Sequence, residues 1–209
     1  MEEVRRLEAA AATDALTELA NRRAFNVALE RAFAEASRYG HDLACLMIDV
    51  DGFKQYNDAF GHPCGDELLR VLARVLEANC RRCDMAGRYG GDEFILLLPQ
   101  TDLATARLVG DRITGQFAQA LSGSASDGTV RARRAAGLSL SLGLACLRHS
   151  QPGTPEGLVA QADHALYSAK QAGKACLMVY SAQALGEPPR RKKSRAETRK
   201  RSEAAEPIR

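Results

Sequence analysis

At 209 residues and 45% hydrophobic content, the chain has room for one well-buried domain with tails and too little for two large ones. Its formal charge of +3 is uneven: residues 186–209 hold nine Lys+Arg against four Asp+Glu, an excess of +5 that leaves −2 on residues 1–185. That body offers no overall basic field to nucleic acid, no apolar run approaches the ~20 residues that span a bilayer, and the acidic start Met1-Glu2-Glu3 lacks a signal peptide's apolar core, so the cytoplasm is the expected compartment.

Residues 1–13 are strong helix formers with Val4, Leu7 and Ala11 spaced by three and four, a short helical lead-in with too few repeats to establish a coiled coil. Asp14-Ala15-Leu16-Thr17 breaks that pattern. A helix then starts near Asn21-Arg22-Arg23, with Phe25, Ala28, Leu29, Ala32 and Phe33 on one face. From Leu43 to Val50 an almost wholly apolar run ends in Asp49 and Asp51, which fits a buried central strand with acids at its carboxyl end, where ligands gather in α/β folds. A polar helical piece from Phe53 to Phe60 leads through Gly61-His62-Pro63 to an amphipathic helix bearing Leu68, Leu72, Val75 and Leu76.

The next segment reads as strand, turn, strand: Arg88-Tyr89, then Gly90-Gly91-Asp92-Glu93, then the apolar Phe94 to Leu98. Glycine suits such a bend because it reaches backbone angles closed to other residues and leaves space for a bulky ligand. A helix near 104–119, a Gly/Ser-rich loop at 121–128, a strand at 138–147, a helix at 155–172 and a strand at 176–180 follow. Helices mixed with strands that include a hairpin point to an α+β fold, a mixed central β-sheet flanked by helices. The domain is expected over residues 14–182, with a basic, disordered tail at 183–209. That tail suits a solubility device, with weak contact to RNA or an anionic membrane as the alternative.

Six cysteines are scattered through apolar stretches, as reduced buried thiols are. Cys80-Arg81-Arg82-Cys83 has the spacing of a zinc or redox pair, but no second pair and no nearby histidines complete a site.

Asp49 and Asp92 lie far apart in sequence, yet a strand end and a neighbouring hairpin turn can bring both carboxylates to one pocket. Hard cations such as Mg²⁺ take a few carboxylate or carbonyl oxygens and keep other positions for water and phosphates, which makes a nucleoside triphosphate the natural ligand. Alone, Asp49 could simply end a strand and Asp92 shape a turn. Their occurrence together with Lys54, Asn57 and Asp66 argues for a site. No Gly-x-x-x-x-Gly-Lys-Ser/Thr loop and no Gly-x-Gly-x-x-Gly is present, so the phosphate must be held by another architecture.

Over Asp14 to Tyr180 the chain resembles the GGDEF-domain diguanylate cyclases. Asp14-Ala15-Leu16-Thr17-Glu18-Leu19-Ala20-Asn21-Arg22-Arg23 is similar to the family's opening motif, and Asp49-Val50-Asp51-Gly52-Phe53-Lys54-Gln55-Tyr56-Asn57-Asp58 to its first active-site strand and turn. Phe60-Gly61-His62-Pro63-Cys64-Gly65-Asp66, the pentapeptide at 90–94 and Ala162-Asp163-His164-Ala165-Leu166-Tyr167-Ser168-Ala169-Lys170 complete the match.

The resemblance implies a fold like that of nucleotidyl cyclases and polymerase palms. It also implies two Mg²⁺ or Mn²⁺ ions per active site, held by Asp49, the Val50 carbonyl and Asp92, with Glu93 completing the acids. Asn57 and Asp66 would bond guanine with His62 lining the substrate between them; Gly90 and Gly91 would lie against it, and Lys54, Lys170 and Lys174 would meet phosphate. Lys174 departs from the family's usual arginine, which implies looser phosphate binding because lysine lacks the planar two-pronged donor. Relatives that accept adenine lack the acid at Asp66, so its presence favours guanine.

The implied reaction joins two GTP into cyclic di-GMP and two pyrophosphates, with Asp92 or Glu93 accepting the proton and a homodimer bringing two sites face to face. Arg81 and Asp84 fit the family's Arg-x-x-Asp product-inhibition site, and Arg112 is a candidate second contact; a plain surface ion pair is the competing reading. A receptor that binds GTP or cyclic di-GMP without turnover is the alternative function. A nucleic-acid-binding role is disfavoured because residues 186–209 hold no aromatic side chain to stack on bases.

Overall fold

A computed structural model of the chain describes residues 12–122 and 137–181. The basic tail and most of the lead-in and of the Gly/Ser-rich loop lie outside these residues. Six strands form one sheet in the order β1-β3-β4-β2-β5-β6. They are β1 (Ala20–Asn21), β2 (Leu43–Asp51), β3 (Met85–Arg88), β4 (Glu93–Pro99), β5 (Ser139–Cys146) and β6 (Leu177–Val179). The central pairings β3–β4, β4–β2 and β2–β5 are antiparallel, while the edge pairings β1–β3 and β5–β6 are parallel, so the sheet is mixed as expected.

The helices are α1 (Arg22–Tyr39), α2 (Phe53–Phe60), α3 (His62–Asn79), α4 (Leu103–Ser122), the short α5 (Leu147–Ser150) and α6 (Pro155–Gln171). Two of their starts are legible as caps: the Asn21 side chain accepts from the Ala24 N–H, and the Thr154 hydroxyl from that of Gly157.

Strand β2 is buried along its whole length, and its alternating side chains divide the core. Ala44, Leu46, Ile48 and Val50 pack with α3 and α4, through Leu68, Leu72, Ile113 and Phe117 among others. Leu43, Cys45 and Met47 pack with α1 and α6, through Phe25, Leu29, Leu158 and Leu166. Asp49 and Asp51 continue this second set, so both acids emerge on the α1/α6 face at the strand's carboxyl end.

Three local expectations change. The end of the lead-in is not helical: Thr13 bridges to Ala20, and Ala12 accepts from the Asn21 N–H. The two-residue β1, which no periodicity marks, extends the sheet beside β3. Leu147 begins a helical turn and does not end a strand, because the Ser150 hydroxyl folds back to donate to the Cys146 carbonyl. Among the described residues, no helix is long and apolar enough to cross a membrane.

Candidate functional site

The end of β2 and the β3–β4 hairpin converge. In the antiparallel register Asp49 stands directly opposite Glu93, so their side chains rise from the same face, and Asp92 sits in the turn one residue earlier. The turn is held from both sides. The Tyr89 and Gly90 N–H groups both donate to the Glu93 carbonyl (2.8 and 3.1 Å). Arg88 donates from Nε and Nη2 to the Gly91 carbonyl (3.1 and 2.7 Å) and from Nη1 to Asp14 (3.0 Å).

Asp14 in turn accepts from the Thr17 hydroxyl and the Leu16 and Thr17 N–H groups. Burial alone would raise the Asp14 carboxyl, but the bonds from Thr17 and Arg88 outweigh it and hold the pKa below the ordinary carboxylate value. Arg88 therefore links the opening motif to the signature turn, a role that no local pattern in the sequence announces.

Neither Gly90 nor Gly91 has a positive φ, which corrects the first reason given for the glycines. Space is the operative reason. A Cβ at Gly90 would lie 2.5 Å from Glu93 Oε2, and one at Gly91 would meet nothing within 4 Å, which leaves that flank open to a ligand.

A cleft of about 190 Å³ opens here, lined by Asp49, Val50, Lys54, Asp92, Lys170 and Lys174 together with residues of the β2–α2 turn. This is smaller than the ~300 Å³ at the low end of ligand pockets, so it can enclose only part of a nucleotide. Lys170 reaches across from α6 to within 2.6 Å of Asp49 Oδ2. Burial raises the Asp49 carboxyl above its ordinary value, and the charges of Asp92 and Asp51 push the same way against Lys170. Repelling carboxylates around an accessible pocket form a donor set that a hard divalent cation would stabilise. Among the described residues no group of three or more His, Cys, Asp or Glu is gathered into a metal site.

Asp51 is the residue whose part the sequence did not reveal. It is buried at 4% exposure, and its carboxylate accepts from the Ser139 hydroxyl (2.7 Å), the Ser141 hydroxyl (2.8 and 2.9 Å) and the Ala175 N–H (3.2 Å). That last bond fixes a strained loop in which Gly173, Lys174 and Ala175 all have positive φ, two of them without glycine's freedom. Asp51 thereby aims the loop that brings Lys174 to the cleft.

Asn57, His62 and Asp66 lie along α2 and the start of α3 and are not among the cleft's lining residues. Asn57 Oδ1 is buried with no hydrogen-bond partner, an acceptor that costs free energy until it is paired. It packs against Gly65, where a Cβ would stand 1.8 Å away, so only glycine at 65 permits this position. His62 is exposed and Asp66 half-buried.

The Arg81–Asp84 turn immediately precedes β3, at the end of that strand opposite the glycine hairpin. Asp84 caps it, accepting from the Arg81 N–H (2.7 Å) and from the Cys83 thiol (3.6 Å). Among the described residues no ion pair joins the Arg81 guanidinium to Asp84. Arg112 on α4 donates to Asn79 Oδ1 (2.5 Å), and Asn79, at the end of α3, also binds the Val75 carbonyl and Gln116. This draws Arg112 toward the helix end that leads into the turn. Burial, with the charges of Asp84 and Glu77, pushes the Cys80 thiol up to about 12, which disfavours its thiolate.

The model of the family described as diguanylate cyclase, GGDEF domain, matches residues 11–176. The chain is 38% identical over 165 residues to the response regulator PleD of Caulobacter vibrioides, covering 78% of this chain and 35% of that protein. It is 38% identical over 163 residues to diguanylate cyclase DosC of Escherichia coli, covering 77% and 33%. The chain thus spans about a third of the length of these curated relatives. Among solved structures, the coiled coil and GGDEF domain of DgcB from Caulobacter crescentus, in complex with c-di-GMP, superposes with a TM-score of 0.75 at 30% identity, covering 85% of this chain and 90% of that one.

Proposed function

This chain belongs to the GGDEF-domain family, and from that premise we propose that it is a diguanylate cyclase that condenses two GTP into cyclic di-GMP and two pyrophosphates. The observation that carries the reading is the convergence of Asp49, Val50 and Asp92 with Lys54, Lys170 and Lys174 on one cleft. Asp49, Asp92 and the Val50 carbonyl would hold the divalent ions, two per site, and their hard oxygens suit Mg²⁺ or Mn²⁺. When bound, such ions supply Lewis acidity that lowers the pKa of an attacking hydroxyl and neutralises triphosphate charge.

The protein's own groups do the rest. Lys54, Lys170 and Lys174 orient the phosphate oxygens, so Lys170 exchanges its pairing with Asp49 for substrate. Asn57 and Asp66 bond guanine, with His62 beside them. The 3′-hydroxyl oxygen of one GTP bonds to the α-phosphorus of the other as the bond to the bridging β-phosphate oxygen breaks. Asp92 or Glu93 takes the hydroxyl proton. One domain holds one GTP, so a homodimer or transient encounter must bring two sites together.

Cyclic di-GMP acts back at Arg81, Asp84 and Arg112, where the exposed Arg81 guanidinium suits phosphate and guanine acceptors. The cyclase domain occupies residues 14–182, with residues 1–13 leading in and the tail at 183–209 outside the reaction.

Incubation with GTP and Mg²⁺, with products separated by chromatography and identified by mass, tests the reading. Cyclic di-GMP is expected, at a turnover per chain that rises with protein concentration, and Asp92→Ala should abolish it. Binding of cyclic di-GMP without any turnover would replace the enzyme with a receptor.

A further inference from the structure

Between α1 and α6 lies a groove of about 530 Å³ that the proposed reaction does not use. Leu29 and Val159, both buried, give it an apolar floor, and its rim carries the carboxylates of Glu30, Glu156 and Asp163. Glu30 and Glu156 are exposed. Arg22 also lines it, but its guanidinium lies over the Tyr89 ring, 4.4 Å from the centroid. An apolar trough with an acidic rim fits side chains that combine aliphatic stems with cationic heads, which is the chemistry of lysine and arginine.

The described chain ends beside this groove. Tyr180 packs edge-on against His164, a lining residue, with ring centroids 5.8 Å apart, and Ser181 is the last residue described. Downstream comes the run Arg190-Arg191-Lys192-Lys193-Ser194-Arg195. We propose that residues 190–195 dock in the α1/α6 groove of their own chain, with lysine and arginine stems over Leu29 and Val159 and their charges at Glu30 and Glu156.

Reach is ample. The nine Cα–Cα steps from Ser181 to Arg190 extend to ~30 Å, whereas Glu156 lies only ~12 Å from His164 along α6. Tethering also offsets weak individual contacts, since a short linker holds a segment at an effective concentration on the order of millimolar. Residues 1–11 are a poorer occupant, since Glu2, Glu3 and Glu8 against Arg5 and Arg6 leave no excess of cationic side chains to match the acidic rim. Because Tyr89 lines the groove and its N–H bonds the Glu93 carbonyl, a docked segment would brace the signature hairpin. The docking itself does not depend on cyclase activity.

Zero-length carbodiimide coupling of the full chain, on an equal mixture of ¹⁴N- and ¹⁵N-labelled protein, tests the proposal by peptide mapping. Links from Lys192 or Lys193 to Glu30 or Glu156 within one label are expected, and they should fall at least about fivefold between about 20 mM and about 0.5 M salt. Arg190→Glu with Arg191→Glu should reduce the links by a similar factor, and adding Glu30→Lys should restore coupling at Glu156. Trypsin should cleave the 190–193 run faster in Glu30→Lys/Glu156→Lys than in the unaltered chain, a readout that needs no coupling chemistry. Links spread evenly over surface acids, links only between differently labelled copies, or tail cleavage indifferent to the groove acids would each overturn the proposal.

Discussion

The cleft at the end of β2 and the turn at Arg81–Asp84 both gather acids and bases, but they do so in opposite electrostatic states. In the cleft, Asp49 is buried, repelled by Asp92 and Asp51, and relieved only by Lys170. In the turn, Asp84 is already satisfied by the Arg81 N–H, and the Arg81 guanidinium stands exposed. The first arrangement leaves the ionised form of Asp49 disfavoured by burial and by its acidic neighbours. The second is self-sufficient, and a ligand there competes chiefly with water. The contrast is between a buried carboxylate crowded by like charges and an exposed turn whose acid is already bonded.

Three substitutions probe this contrast, in falling order of effect. Asp49→Ala should lower the cyclic di-GMP production rate by on the order of 10²–10³-fold, the loss seen when a preorganised charge leaves a reacting centre, while the fold survives loss of a repelled carboxylate. Equal activity in the variant would end the idea that the cleft needs this acid. Arg81→Ala should leave the initial rate alone and weaken product inhibition by roughly tenfold or more, the worth of a charge-assisted bond to phosphate. Inhibition unchanged in a titration with added product would detach the turn from feedback.

Asp51→Asn tests a residue that lines the cleft yet spends its carboxylate on Ser139, Ser141 and the Ala175 N–H. Putting an amide NH₂ where donors converge costs about 1.5 kcal/mol and should raise KM for GTP ~10-fold with kcat nearly constant. Its effect should not add to that of Lys174→Ala, because both act through the same loop. Additive losses would show Asp51 working by another route.

Much of the fold was legible because its signals are local. The apolar run of β2, the capped start of α1 at Asn21 and the glycine hairpin each declare themselves within a few residues. The hidden parts are long-range. Asp51 meets Ser139 and Ser141 across 88 and 90 residues, and Arg88 meets Asp14 across 74, distances over which periodicity carries no information. Leu147 was misread because alternation cannot reveal a serine that turns back on the preceding carbonyl. The reason for Gly90 was misread because a sequence shows that a side chain is missing, not whether φ or space requires it. Asp49, Asp92 and the three lysines were legible as a set through motif likeness, yet the pairing of Asp49 with Lys170 needed the packing of α6 on the sheet.

The smallest expected effect concerns stability, and it lies outside both regions, at the clasp that holds the hairpin. The Asp14 pKa is lowered in the fold, so the unfolded chain binds its proton more readily. The stabilisation is therefore complete above the unfolded carboxyl value near ~3.9 and is lost as pH falls through the lower folded value. Asp14→Asn removes the charge at every pH. Its cost should be about 1 kcal/mol at neutral pH, a drop in Tm of ~2–4 °C for a chain of this size, because the Asp14–Arg88 pair is only partly buried. The difference in Tm between the two proteins should shrink as pH falls below ~4 and vanish once Asp14 is protonated in both states. A difference that stayed constant down to acid pH would assign the loss to the Thr17 hydrogen bonds and not to the charge on Asp14.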